Sequence, residues 1–481
     1  MRRWRRTLLL CLLGAWLLMT WWQARKPLPP GLQLASAVCT VASGEVEFIA
    51  DISAADAWGH PAVSQAIFDA VLTTVRAARR FVVLDYRAFG SAPEGNSRSA
   101  AAQLTDALLE RRRQQPGLSV LFITDPASED YGAQRSPQLQ LLRAAGVTVV
   151  SANLDRLRDS NPWYSSLWRL ALRWSSTPTS ALSSSARRLN FKADSRRLIL
   201  ADDGHERLVA VIGSADPADA ETLWSNVALR VAGGALPELL DSELAVARFS
   251  GWRGSAQAFE PPAVAADRCT PAAAVSAPPA PGTLRMQVLT ESAIGASLLA
   301  RLAQLGAGDG VDVAMQHVSE RTVIEALLAA ARRGALVRLL LDPNENAASG
   351  GTSGIPNQPV ASELVSRSNG ALHVRWYRTH GERFHAALVM LYDAHSLWLS
   401  VGSAQLTRRS LDGFDLEANV ALEMSSDAAL AQQARGYFDT LWDNRADLGI
   451  EYTADFAAFA DPAQSDYWLY RLMEGSGFAP F

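Results

Sequence analysis

Two short segments of this sequence occur twice, in the same order, on either side of a Pro- and Ala-rich stretch. LFITDP at 121–126 matches LLLDP at 339–343, and VIGSAD at 211–216 matches SVGSAQ at 400–405. A long-period repeat with only two copies predicts a pseudo-twofold pair of related half-domains rather than a solenoid. In such a pair the binding site usually forms where the two halves meet.

Apolar strands and amphipathic helices alternate around each copy of the repeat. In the first copy the helical pattern at 62–79 leads into a strand at 81–85, and a helix near 101–113 leads into a strand at 118–125. This order returns after the linker, and it predicts an α/β fold with a largely parallel, buried sheet. We expect an N-terminal flank and anchor at 1–30, a first domain at 31–265, a Pro/Ala linker at 266–283 and a second domain at 284–481.

The N-terminus reads as a membrane anchor. MRRWRR precedes an apolar run from Thr7 to Trp22, and a Pro-rich exit follows without a small-residue cleavage site. The basic flank predicts a cytoplasmic N-terminus and one transmembrane helix in the inner (cytoplasmic) membrane, with the bulk of the chain on the extracytoplasmic (periplasmic) side. The run is shorter than the roughly 20 residues of a full span, so flanking residues must share the bilayer.

Cysteine and charge counts add two expectations. Cys11 lies in the anchor, which leaves Cys39 and Cys269 as the candidate disulfide pair in an oxidising compartment; the alternative is two unpaired buried thiols. The 45 Lys+Arg and 49 Asp+Glu residues give a net charge of −4, so no global basic field predicts a nucleic-acid partner.

The second half contains THGERFHAA and GSAQLTRRSLDGFDLEANV, and these stretches resemble the bacterial branch of the phospholipase D superfamily. Each half of such a protein carries His-x-Lys-x4-Asp and a strand that ends in Gly-Ser-x-Asn. The resemblance implies two α/β/α half-domains in pseudo-twofold arrangement and no metal or other cofactor. It also implies a two-step reaction, in which one His attacks phosphorus and the other protonates the leaving oxygen.

In the first half, the motif falls on Ser195, Arg197 and Asp202, so a serine stands at the nucleophile position. Arg197 keeps a positive charge that could bind phosphate. Ser214 keeps the hydroxyl of Gly-Ser, and Asp216 stands where the family has Asn.

In the second half, His385 is kept, but the Lys position is Ala387 and the Asp position is Tyr392. Ser403 is kept, and Gln405 replaces the Asn. The resemblance implies that the carboxylate of Glu417 holds His385 in one tautomer. We therefore predict His385, Ser195, Arg197, Asp202 and Glu417 as catalytic residues, and Arg197, Ser214, Ser403 and Gln405 as phosphate-binding residues. The alternative for His385 is a relic imidazole kept by packing.

Two substitutes for the missing first-half His can be weighed. His205 lies in a turn three residues beyond Asp202, and Lys192 lies three residues before Ser195, on the opposite face of an extended chain. Neither is favoured over an ordinary solvated side chain.

An insert at 155–190 gathers Trp163, Leu167, Leu170 and Trp174 on one side of a helix, which could lie on a membrane, cover the cleft or pack on the sheet.

The sequence leaves two functions open. One is a phospholipase D-like phosphodiesterase or phosphatidyltransferase that acts on phospholipid at the membrane surface. The other is an inactive pseudoenzyme that binds phospholipid head groups or a protein partner. A nuclease of the same superfamily is disfavoured by the net charge and the anchor. The oligomeric state is not predicted.

Overall fold

The computed structural model describes residues 2–55, 61–90, 98–172, 181–205, 207–260, 279–345, 354–445, 449–461 and 464–481. Its first element is the helix α1 (Arg2–Arg25), which is long and apolar enough to cross a membrane. Most of this helix projects from the folded part of the chain, since only its last turns are buried.

The first half follows the α/β order that the sequence predicts. Its strands are β1 (Cys39–Ala42), β2 (Val46–Asp51), β3 (Ser53–Ala55), β4 (Pro61–Val63), β5 (Phe81–Tyr86), β6 (Ser119–Thr124), β7 (Thr148–Ser151), β8 (Leu198–Asp202), β9 (Leu208–Gly213) and β10 (Asn226–Ala232). Its helices are α2 (Ala66–Ala77), α3 (Ala100–Gln114), α4 (Pro137–Ala144), α5 (Pro162–Leu167), α6 (Ala181–Arg188) and α7 (Leu236–Phe249).

The second half repeats this order. Its strands are β11 (Thr283–Thr290), β12 (Gly310–Met315), β13 (Leu336–Leu341), β14 (Leu372–Tyr377), β15 (Ala387–Tyr392), β16 (Ser396–Gly402), β17 (Ala418–Ser425) and β18 (Thr453–Asp455). Its helices are α8 (Ser292–Leu302), α9 (Arg321–Arg332), α10 (Asn357–Arg367), α11 (Arg408–Leu411), α12 (Ala429–Asp443) and α13 (Gln464–Ser476).

Each half is built on one mixed sheet, and the expectation of a largely parallel sheet is wrong. The first sheet has the order β2-β10-β9-β8-β5-β6-β7, in which only β5, β6 and β7 run parallel. The second has the order β1-β11-β17-β16-β15-β12-β13-β14-β18, with β12, β13 and β14 parallel. The remaining neighbours are antiparallel, and some of them, such as β8 and β9 or β15 and β16, are joined by connections of five residues or fewer, which can link only antiparallel strands.

The two sheets face one another across a shared core, to which Leu200 and Val227 of the first half and Leu388 and Leu399 of the second contribute. The helices α7 and α12 also bury apolar faces in this core. Separate cores cover the outer faces, under α2, α3 and α4 in one half and under α8, α9 and α10 in the other. The predicted pair of α/β/α half-domains is confirmed.

The N-terminal strand crosses from one half to the other. Cys39 to Ala42 pair antiparallel with β11, so the first strand after the anchor extends the second sheet although the sequence predicted it in the first domain. Cys39 is buried and disulfide-bonded. Cys269 and most of the predicted linker lie outside the described residues, so the predicted Cys39–Cys269 pairing stays a prediction.

Candidate active site

Strand pairing fixes which residues are equivalent in the two halves. Leu198 pairs with Ile212, which sets Arg197 opposite Gly213. Leu388 pairs with Val401, which sets Ala387 opposite Gly402. Counting two residues back from Arg197 and from Ala387 makes Ser195 and His385 equivalent positions, as the sequence motifs predict.

The backbone around these two positions repeats the symmetry. The N–H of His385 donates to the carbonyl of Ser225 at 2.8 Å, and the N–H of Ser195 donates to the carbonyl of Leu416 at 2.9 Å. Each motif position is therefore attached to the other half. The residue that follows each acceptor, Asn226 or Glu417, lies on the first position of β10 or just before β17.

His385 is held across the interface between the halves. Its Nδ1 lies 3.0 Å from Oδ1 of Asn226, which also accepts the Ser214 hydroxyl at 2.9 Å. The Asn226 amide nitrogen donates to the carbonyl of Trp224 at 3.3 Å, which fixes the oxygen toward the imidazole. Nδ1 must then carry the proton, and Nε2 keeps its lone pair. Among the described residues Nε2 has no hydrogen-bond partner.

His385 opens into a cavity of about 240 Å³ between the halves. The first half contributes Arg87, Ala88, Ser195, Arg197, Glu221 and Trp224, and the second contributes Gln316, His317, Arg383, His385, Ser403, Gln405, Thr407, Arg409, Ser410, Asp415, Glu417, Pro480 and Phe481. Burial, followed by the charges of Arg197 and Arg383, holds the pKa of His385 well below its usual range. The imidazole is therefore neutral, which is the nucleophilic form.

Arg197 lines the cavity, but its charge is already paired. Its Nε donates to Asp216 at 2.6 Å, and Nη1 donates to the carbonyl of Ser195 at 3.1 Å. Both side chains of this ion pair are buried. The acid at the family's Asn position thus neutralises the arginine rather than repelling a ligand directly. Ser195 lines the same cavity. It stands where the motif has its His, so this position offers a hydroxyl and no imidazole.

Asp202 is not part of the site, contrary to the prediction. Its carboxylate accepts backbone N–H groups of Arg79, Arg80, Phe81 and Gly204, between 2.8 and 3.2 Å. Seven extended residues separate it from Ser195, or roughly 23 Å. At the far end of β8 it ties the strand to the start of β5, so its role is structural.

Of the four predicted phosphate-binding residues, Arg197, Ser403 and Gln405 line the cavity, and Ser214 does not. Ser403 lines the cavity, and its hydroxyl donates to Glu417 at 2.5 Å. Ser214 supports Asn226 from behind instead of lining the cavity. The Gln405 amide forms hydrogen bonds with backbone groups. Its Oε1 accepts the N–H groups of Gln316 and His317 at 3.0 and 3.1 Å, and its Nε2 donates to the Ala386 carbonyl.

Glu417 does not hold His385, contrary to the prediction. Its two oxygens accept the hydroxyls of Ser403 and Ser410, at 2.5 and 2.8 Å. The pseudo-twofold axis exchanges the supporting residues, so Asn226 of the first half serves His385 while Glu417 lies beside the position of Ser195. Burial, and next the charge of Asp415, raises the pKa of Glu417 to about 7.

Three residues that the sequence motifs do not identify also line the cavity. Arg87 and His317 follow β5 and β12, two equivalent strands, and Arg383 precedes His385. Among the described residues neither Arg87 nor Arg383 forms an ion pair, and Arg383 lies 4.9 Å from the ring of Trp224. For Arg87 and His317 the signal in the sequence was their place just beyond parallel strands, where ligand sites of α/β folds collect.

His317 adds a second imidazole to the cavity. Burial and the nearby Arg383 lower its pKa to about 3. It is therefore neutral near pH 7 and cannot donate a proton as an imidazolium.

Of the two residues considered as substitutes for the missing first-half His, His205 is exposed in its turn. Lys192 is buried in a salt bridge with Asp159, and neither residue lines the cavity.

Comparisons with known proteins agree with this geometry. Residues 302–442 match the family model "Cardiolipin synthase, PLD-like domain". The fold is similar to that of phosphatidylserine synthase from Haemophilus influenzae Rd KW20, with a TM-score of 0.58 and 10% identity over 93% of this chain and 96% of that one. A comparison with curated protein sequences gives no match.

Two further solved structures align less closely. One is a polyphosphate kinase from Porphyromonas gingivalis, with a TM-score of 0.42 and 12% identity over 91% of this chain and 56% of that one. The other is Nuc from Salmonella typhimurium, a phospholipase D family member, with a TM-score of 0.27 and 15% identity over 36% of this chain and 97% of that one. The second half therefore contains a PLD-like domain at 302–442, and nearly the whole chain shares its fold with that phosphatidylserine synthase.

Proposed function

We propose that this protein is a phosphodiesterase or phosphatidyltransferase that acts on phospholipid at a membrane surface, with His385 as its nucleophile. The observation that carries the proposal is the neutral imidazole of His385, fixed at Nδ1 by Asn226, with Nε2 open to a cavity rich in arginine. A fixed, neutral imidazole with a free lone pair is the form that can attack phosphorus.

Arg87 and Arg383 are suited to hold the phosphate. Both line the cavity without a carboxylate partner among the described residues, whereas Arg197 and Arg409 are paired with Asp216 and Asp415. Unpaired guanidinium groups bind phosphate oxygens and stabilise the charge that develops on them. These two arginines would supply the positive charge that the motif lysines supply elsewhere in the family.

Glu417 is the group that can give a proton to the leaving alcohol. Its pKa of about 7 leaves it partly protonated at neutral pH, and it lies on the side of the cavity where the second motif His would stand. Nε2 of His385 forms a P–N bond while the P–O bond to the alcohol breaks, and that oxygen takes the proton of Glu417. Water or a second alcohol, deprotonated by Glu417, then attacks phosphorus and releases His385.

The size of the cavity limits what it can enclose. About 240 Å³ accommodates a phosphodiester group and its neighbouring atoms but not the acyl chains of a lipid. The chains would remain outside. The helix α1 supports a location where this is possible, because it could anchor the chain in the inner membrane with the bulk on the periplasmic side.

A pseudoenzyme that binds phospholipid head groups is the second candidate. The observation in its favour is the loss of motif chemistry at the equivalent positions: Ser195 replaces one His, Ala387 replaces one Lys, and the charge of Arg197 is neutralised by Asp216. The same cavity would then bind a phosphate without turning it over.

The test uses the full-length chain in detergent with phospholipid and soluble phosphodiester substrates. We expect turnover and an acid-labile, base-stable phosphoenzyme, both lost in His385→Ala and both kept in His373→Ala, which alters an exposed histidine on β14. Phosphoenzyme formation in His385→Ala would refute the assignment of the nucleophile. Lipid binding without turnover in the unmodified chain would establish the pseudoenzyme.

A further inference from the structure

The two halves differ most in one connection. Between the equivalent strands β14 and β15 the chain needs only residues 378–386, whereas residues 152–197 connect β7 and β8. This insert in the first half contains α5 and a single π-helical turn at Trp168–Leu172. The insert has no counterpart in the second half, so the symmetry of the fold does not explain it.

The insert is attached to the N-terminal helix. Trp16 of α1 packs against Trp163 with ring centroids 5.2 Å apart, and its indole N–H donates to the Trp163 carbonyl at 3.1 Å. Nearer the end of α1, the N–H of Asp159 donates to the Gln23 carbonyl at 3.1 Å. Lys26, just beyond the helix, donates to the Asp155 carbonyl at 2.7 Å. The folded part is therefore fixed to α1 and not suspended from a flexible tether.

The outer face of the insert is apolar and uncovered. Trp163, Leu167 and Leu170 have relative exposures of 51%, 50% and 43%. These residues are three or four positions apart, which sets them on one side of a helix as the sequence predicts. Trp174, the fourth residue of that predicted stripe, lies outside the described residues. The apolar surface of α1 continues directly into this face through the Trp16–Trp163 contact.

The position of the Trp16–Trp163 contact along α1 sets the depth of α5 in the membrane. Trp16 lies nine residues before Arg25, which ends the helix, and at 1.5 Å per residue this is roughly 14 Å along the axis. If Arg25 lies among lipid head groups, Trp163 and its neighbours lie below them. Interfacial helices bury their apolar faces about 5–10 Å into the boundary between head groups and acyl chains, so a tilted α1 brings α5 to that depth.

We infer that α5 and the π-helical turn form an interfacial element that inserts into the leaflet at the C-terminal end of α1. The inference rests on the membrane anchoring proposed above. The occupant of the exposed face of Trp163, Leu167 and Leu170 is lipid, because this face is continuous with a helix whose own apolar surface requires lipid. The element also accounts for the short apolar run of α1, since the inserted part of the domain shares the bilayer.

This attachment brings the cavity to the membrane. Tyr164 on α5 and Phe191 pack edge-on against Phe478, with ring centroids 5.7 and 6.2 Å away. Phe478 lies two residues before Pro480, which lines the cavity together with Phe481. The rim of the cavity is thus connected to the inserted element through one aromatic cluster. A phospholipid could present its head group to His385 while its acyl chains stay in the leaflet.

The test places an environment-sensitive fluorophore on single cysteines in the full-length chain, with the free Cys11 replaced by Ser and the protein reconstituted in phosphatidylethanolamine/phosphatidylglycerol vesicles. Leu167→Cys reports on the insert and Leu9→Cys on α1. Leu141→Cys is the matched control, an equally exposed leucine, 55% accessible, on α4. We expect blue-shifted emission, quenched by nitroxide lipids, at positions 167 and 9 but not at 141.

Each other outcome refutes a distinct statement. If the label at 9 is quenched while the labels at 167 and 141 behave alike, the chain is anchored and the inserted element is refuted. If the label at 9 is not quenched either, the anchoring itself is refuted and the inference fails with it. Neither result bears on His385, which the phosphoenzyme experiment tests separately.

Discussion

Replacement of Glu417 by Gln should change how the stability of this protein depends on pH. Glu417 is 1% exposed, and burial raises its pKa from the ordinary 4.5 to about 7. Because the folded state holds this proton more tightly than the unfolded state, the stability contributed by the neutral carboxyl is fully present below about pH 4.5. It is lost as the pH rises through about 7.

The size of the effect follows from the two pKa values. One pKa unit corresponds to about 1.4 kcal/mol, so a difference of between two and three units corresponds to about 3 kcal/mol. A glutamine has nearly the same shape and does not ionise. The Gln variant should therefore gain up to about 3 kcal/mol relative to the unmodified chain between pH 4.5 and 8. Altered hydrogen bonds to Ser403 and Ser410 add an offset that does not depend on pH.

The assay compares denaturant unfolding of the full-length unmodified chain and of Glu417→Gln from pH 4.5 to 8. All other titrating groups are common to both chains, so they cancel in the difference. Glu110→Gln is the control, because its side chain is 52% exposed on α3. Parallel curves for Glu417→Gln and the unmodified chain would refute the raised pKa. They would also remove Glu417 as the proton donor, whose loss should otherwise lower turnover by about 10²- to 10⁴-fold.

Two further substitutions test how the site is supported. Arg196 is fully buried and donates to Glu243 at 2.7 Å and Glu291 at 2.8 Å, so Arg196→Met leaves carboxylates uncompensated and should destabilise the fold by about 3–5 kcal/mol. Arg113→Met on the surface is the control for the unfolding midpoint, and equal midpoints for the two variants would contradict the stabilisation expected from Arg196. Asp202→Asn should cost about 1.5–3 kcal/mol of stability while phosphoenzyme formation persists. A stable Asp202→Asn chain that forms no phosphoenzyme would show that Asp202 has a role in the active site.

The partner of His385 illustrates a limit of motif reasoning. The family resemblance implied that Glu417, in the same half, holds His385, whereas the structure brings Asn226 to Nδ1. In a pair of halves related by a twofold axis, each motif contacts the strand that follows the Gly-Ser turn of the other half. No spacing within one half encodes this exchange, since Asn226 and His385 are 159 residues apart.

Asp202 shows the converse error. The motif grouped it with Ser195 and Arg197 because they are close in sequence, but an extended strand carries the chain away from the cavity. The residues that line the cavity instead, among them Arg87 and His317, come from the ends of other strands. Which residues meet at a sheet edge depends on the order of the strands, and that order cannot be predicted from any single segment of the sequence.

The sequence by itself determined the duplicated α/β architecture, the register of the motifs and the apolar N-terminal helix. These follow from local pattern: the period of apolar residues, the Gly-Ser turns and the length of an apolar run. Only the tertiary structure decided which charges stay unpaired in the cavity, which residue fixes the His385 tautomer and what the insert contacts. Those properties depend on burial and on distances across the interface between the halves, and both exist only once the two sheets have packed together.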